Sequence, residues 1–96
     1  MNEERYIPIP GDVIVVKDDE RTFYPEDPVE SVVGLFGSFR LNAGQPLLVV
    51  SVYTWGMFGD CHELVLRLVE LEKDPPREVF YQDNEYGVAR FFDLLK

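Results

Sequence analysis

The chain has 96 residues, the length of one domain, and 46% of them are hydrophobic and 14% aromatic, which is enough for a packed core and argues against global disorder. Eighteen acids against nine lysines and arginines give a formal net charge of −9. That sign disfavours direct binding of nucleic-acid phosphates and docking on an anionic membrane, and no apolar run approaches the roughly 18 residues needed to span a bilayer.

In chain order, the opening Met1-Asn2-Glu3-Glu4-Arg5 is acidic and lacks the apolar stretch of a secretory signal. Pro8 and Pro10 keep the approach to Gly11-Asp12 extended. Val13-Ile14-Val15-Val16 predicts a first strand, covered on both faces or on an inner edge. Residues 18–31 read as a loop with six acids (Asp18, Asp19, Glu20, Glu26, Asp27, Glu30) and one base, Arg21. Pro25 and Pro28 exclude a central strand there, and Phe23 and Tyr24 interrupt the polar stretch. A loop of this length in a small domain points to a function. Residues 32–41 give a weaker signal, with a short strand expected at 38–41. Asn42-Ala43-Gly44-Gln45 reads as a turn, with Gly44 suited to a positive φ.

Residues 47–53 give the clearest strand of the chain. Trp55-Gly56-Met57-Phe58-Gly59-Asp60 reads as a loop with large apolar side chains. Residues 63–73 fit two templates. Leu64, Leu66 and Leu68 alternate as in a strand, whereas Asp60 with Glu63 resembles a capping box that opens a helix. The strand is preferred because Leu66 and Val69 fall off the helical stripe. Asp74-Pro75-Pro76-Arg77 is a turn, 79–82 a strand, 83–87 a second turn and 88–92 a closing strand, with a final helical turn expected at 92–96. The expected fold is all-β: five to six short antiparallel strands in a small barrel, residues 1–96 forming a single domain.

Several of these residues form a recognisable pattern. Gly11-Asp12 precedes an apolar strand; Phe39, Leu41, Gly44, Leu48 and Val50 follow; then come Tyr81-x-Asp83-x-x-x-Gly87 and Phe91-Phe92. The pattern resembles the small SH3-like barrel proteins common in phage and bacterial genomes, and implies an SH3-like barrel and a phage-encoded origin. The motifs are short and apolar, so they specify fold rather than activity. The aromatic segment 53–61 and the acidic loop are both longer than that pattern. The Ala-Leu-Tyr-Asp-Tyr run and paired tryptophans of polyproline-binding SH3 domains are missing.

Catalytic constellations are sparse. His62 is the only histidine and Cys61 the only cysteine. Adjacent residues on a strand point to opposite faces, so both read as structural. The single thiol excludes an internal disulfide and fits a reducing, cytoplasmic setting. The acids of 18–30 lack the spacing of a calcium loop. Gly34-x-x-Gly37 and Gly56-x-x-Gly59 are too sparse for a phosphate loop. No catalytic residue, metal or cofactor is expected, and the chain reads as non-enzymatic.

Trp55, Met57 and Phe58 either fold back as a lid on the core or form a contact surface. The acidic balance favours a protein partner with a basic surface. The expected partner-binding set is Trp55, Met57, Phe58, Asp18, Asp19, Tyr24, Glu26 and Asp27. One form of this reading is an inhibitor that mimics DNA, with spaced carboxylates standing in for phosphates; another pairs two copies into a homodimer through the apolar patch. The alternative is a small-ligand protein that holds a nucleotide-like molecule with aromatics and Arg40 or Arg90.

Overall fold

The computed structural model describes residues 4–17, 19–28 and 37–95. It is a mostly-β structure with one short helix. In chain order the elements are β1 (Val13–Val16), β2 (Thr22–Phe23), β3 (Phe39–Arg40), β4 (Pro46–Phe58), β5 (Cys61–Glu70), β6 (Arg77–Asn84), α1 (Glu85–Phe91) and β7 (Phe92–Leu95). A five-stranded antiparallel sheet runs β6-β5-β4-β1-β7, and β2 and β3 form a separate two-stranded ribbon. Tyr24, just after β2, bridges Phe80 of β6 and ties the ribbon to that edge. Among the described residues the ladder is open, with β6 and β7 at its two ends.

The long strand sets this architecture. β4 pairs with β1 through Pro46, Leu47 and Leu48 and with β5 along nearly its whole length. Its ladder to β5 shifts register at Val49/Ser51 and at Thr54/Gly56. Such irregularities bend a strand and increase its twist, so one strand can serve both halves of the sheet. β1 is a strand, as its β-branched run predicts, and lies between β4 and β7; Ile14 and Val16 are fully buried while Val13 and Val15 are half-covered.

Leu64, Leu66 and Leu68 alternate along β5 and are completely buried, joining Phe23, Leu47, Val79, Val88 and Phe92 in the core. The strand reading of 63–70 therefore holds, and the leucine alternation is its cause. Phe23, Tyr81 and Phe92 form an aromatic centre, with ring centroids 4.9–6.1 Å apart. Gly44 has φ +88° in the 42–45 turn, as expected.

Three expectations are corrected. Residues 55–58 are strand rather than loop: Phe58 pairs with Cys61 across the two-residue turn Gly59-Asp60, and Gly59 takes φ +64° to make it. The expected loop at 18–31 contains β2, paired Thr22 to Arg40 and Phe23 to Phe39; the expectations for Asp18 and for 29–36 fall outside the described residues. The third correction concerns the C-terminus. Residues 85–91 are helix where a turn at 83–87 and a strand at 88–92 are expected, and 92–95 are strand where a helical turn is expected at 92–96. Asn84 accepts a hydrogen bond from the Gly87 amide at 2.8 Å and caps the helix. Val88 and Ala89 turn inward. β7 then covers the open edge of β1, pairing Val16 with Phe92 and Val13 with Leu95.

Candidate functional site

The acidic segment after β1 is anchored at its far end. Asp19, Glu20 and Glu26 are exposed, while Tyr24 and Asp27 are half-buried. The backbone of Tyr24 exchanges two hydrogen bonds of 2.8 Å with Phe80. The Tyr53 hydroxyl of β4 donates to the Asp27 carboxylate. Trp55, Met57 and Phe58 lie a few residues further along β4, Met57 opposite His62 and Phe58 opposite Cys61. The bond thus joins the two segments that the sequence singles out separately. The structure does not describe Asp18.

At the turn of the β4–β5 hairpin, His62 and Cys61 meet Glu85, the first residue of α1. Glu85 is buried, and its Oε1 accepts from the His62 backbone N–H at 3.0 Å and lies 3.1 Å from His62 Nδ1. Burial pushes the Glu85 carboxyl upward, but the donors from His62 and the charge of Arg5 outweigh it and hold the group below the ordinary glutamate range. Its backbone carbonyl accepts from the Tyr6 amide at 3.1 Å. Glu85 therefore fastens the start of β5, the helix and the N-terminal segment together. A carboxylate–histidine pair can orient a general base, but the neighbouring thiol is not activated. Burial, then Asp60, Glu63 and Glu85, raise Cys61 above the usual thiol value, which disfavours the nucleophilic thiolate.

A second cluster sits at the opposite end of β5. Glu70 is completely buried. It accepts from Gln45 Nε2 at 2.5 Å and from Nε of Arg77, its cross-strand neighbour. The Arg77 guanidinium carbon lies 4.4 Å from the centroid of the Phe39 ring. Arg40, Lys73 and Arg77 line an open hollow of about 270 Å³ beside it, together with Asn42, Glu70 and Glu72. Arg40 thus lines a hollow, whereas Arg90, on the last turn of α1 and exposed, is not among its lining residues. The reading from sequence missed Glu70. The signal was present: Glu70 continues the 64-66-68 alternation onto the core face, and a buried carboxylate there demands donors.

Among the described residues no group of three or more His, Cys, Asp or Glu side chains is arranged to hold a metal ion, and no helix is long and apolar enough to cross a membrane. No known family, no curated protein and no solved structure matches this chain.

Proposed function

We propose that the protein is a non-enzymatic binding module that engages a basic protein through its acidic segment and the tip of the β4–β5 hairpin. The observation that carries this reading is the Tyr53–Asp27 hydrogen bond. It holds the acidic segment against β4, the strand that continues to Trp55, Met57 and Phe58, which supports a contact surface that draws on both segments. Asp19, Glu20 and Glu26 remain exposed beside it. In a chain of net charge −9, this pairing favours a partner with the opposite charge and speeds encounter. Occupation of a basic, nucleic-acid-binding groove of the partner protein, with inhibition by DNA mimicry, is the form of partnership that spaced carboxylates suit.

An SH3-like barrel is supported by the position of β1 between the last strand and the long, bulged β4, by the helix between β6 and β7, and by the ribbon inserted between β1 and β4. A phage-encoded origin rests on the same resemblance, and a cytoplasmic setting on the single thiol.

The test is capture on the immobilised chain at low salt, compared with a variant carrying Asp18→Asn, Asp19→Asn and Glu26→Gln, and with Trp55→Ala/Phe58→Ala. A basic partner should be retained by the native chain, weakened by both variants and released near 1 M salt, where screening acts within about 3 Å. Retention that is equal for all three chains would sink the proposal.

A further inference from the structure

Acids outnumber bases two to one in this chain, yet three of its nine lysines and arginines line one hollow of about 270 Å³. These are Arg40 on β3, Lys73 on the β5–β6 turn and Arg77 at the start of β6. We propose that this hollow binds a phosphate group, free or carried on a small molecule.

The case begins with Glu70. Its completely buried carboxylate takes one donor from Gln45 and one from Arg77 Nε. Arginine has five N–H donors, and Nε supplies only one of them. The Nε contact and the Phe39 ring beneath the guanidinium fix the plane of the group, leaving its two terminal nitrogens for another acceptor. An arginine held in this way loses little freedom when it binds a second oxyanion, and its fork matches two phosphate oxygens. Arg40 and Lys73 are exposed and form no ion pair among the described residues. Two carboxylates, Glu70 and Glu72, also line the hollow, and Glu70 is already engaged by its own two donors. The balance that faces a ligand is therefore positive, against the sign of the whole chain.

The size selects among anions. A hollow of about 270 Å³ lies just below the usual small-ligand range of roughly 300–1,000 Å³. It has room for a phosphate and a small part of its carrier, and the rest of any carrier lies in solvent. Three cationic side chains against Glu70 and Glu72 leave one positive charge in excess, and their several N–H donors suit the multiple oxygens of a phosphate better than a monocarboxylate.

The experiment is a titration of the full chain with inorganic phosphate and, separately, with adenosine monophosphate. Calorimetry and phosphorus NMR line widths follow binding, and ionic strength is held constant with sodium chloride. Both ligands should bind saturably at one site. Arg40→Gln/Lys73→Gln should weaken binding by roughly tenfold or more, the scale of lost charged hydrogen bonds, and leave the melting temperature unchanged because both side chains are exposed. Arg77→Lys keeps the charge, loses the fork and should also weaken binding. Tighter binding of the nucleotide makes the carrier part of the ligand, and equal affinity assigns free phosphate. Absence of saturable binding by either ligand, or binding that the Arg40/Lys73 double variant leaves intact, would overturn the proposal. The site uses none of the acidic segment, so this result stands apart from partner capture.

Discussion

The two ends of the β5–β6 hairpin each hold a buried glutamate, and they hold it by different means. At the turn end, Glu70 depends wholly on side chains, the Gln45 amide and the Arg77 guanidinium. At the far end, Glu85 takes one donor from the His62 backbone and one contact from its ring. A backbone donor survives most substitutions, whereas a guanidinium is lost in one. A single replacement should therefore open the turn end and only loosen the far end, although both glutamates are buried.

Arg77→Met tests the turn end and should give the largest loss. It leaves Glu70 buried without its ion-pair partner and with the Gln45 amide as its remaining donor, a condition that costs about 3 kcal/mol. Denaturant melts should show that loss, and Glu70→Gln added to Arg77→Met should restore part of it. If Arg77→Met melts like the native chain, Glu70 has another source of compensation. Gly87→Ala acts on the helix that carries Glu85. A methyl group at Gly87 would collide with the Asp83 carboxylate, which is already held by the Tyr81 hydroxyl at 2.5 Å and the Asn84 amide at 2.8 Å. Overpacking of this kind costs about 2 kcal/mol, read from the same melts.

His62→Ala should cost less than either, because the backbone donor to Glu85 remains. Its signature lies in pH. A carboxyl held low in the folded state adds stability above the unfolded glutamate value, about 4.3, and that stability is lost as pH falls through the lower folded value. Melts of the native chain between pH 7 and pH 3 should show this acid limb, and His62→Ala should flatten it. The alkaline limb has the opposite origin. Burial and Asp83 push the Tyr81 hydroxyl up, as burial and Asp12 do for Tyr6. Above about pH 10 the unfolded chain loses these protons first, so stability falls as pH rises. Tyr81→Phe should shrink that fall, and an unchanged alkaline limb would remove Tyr81 as its source.

The same contrast explains what was legible in the sequence. The 64-66-68 alternation, the β-branched run of β1 and the Gly44 turn are local patterns, and each appears where its period places it. Residues 83–95 were misread because two signals compete there. Asp83-Asn84-Glu85-Tyr86-Gly87 has the composition of a hairpin turn, and the winning factor is tertiary: 92–95 cover the edge of β1, and the helix supplies the span to reach it. The strand at 55–58 was hidden by glycines that suggest a loop, yet Gly59-Asp60 is a two-residue hairpin turn. Neither buried glutamate could be assigned partners from the sequence. Gln45 is 25 residues from Glu70, and His62 is 23 from Glu85.

The smallest effect on stability belongs to the acidic segment. Asp19 and Glu26 are exposed, in contrast to the two buried glutamates, so each carboxylate is already solvated. Asp19→Asn/Glu26→Gln should shift stability by no more than about 0.5 kcal/mol. A slight gain is the expected sign, because the change removes two of eighteen acids from a chain of net charge −9 and so reduces self-repulsion. That gain should shrink as salt is added. Asp27→Asn differs, since its carboxylate accepts from the Tyr53 hydroxyl: it should loosen the segment from β4 and raise amide exchange at Tyr24 and Phe80, whose bridge lies just upstream. Hydrogen exchange on the two variants separates charge from anchoring. If Asp27→Asn leaves exchange at Tyr24 and Phe80 at native rates, the bridge holds the segment without Asp27. The proposal that the acidic segment and the hairpin tip act together would then lose its support.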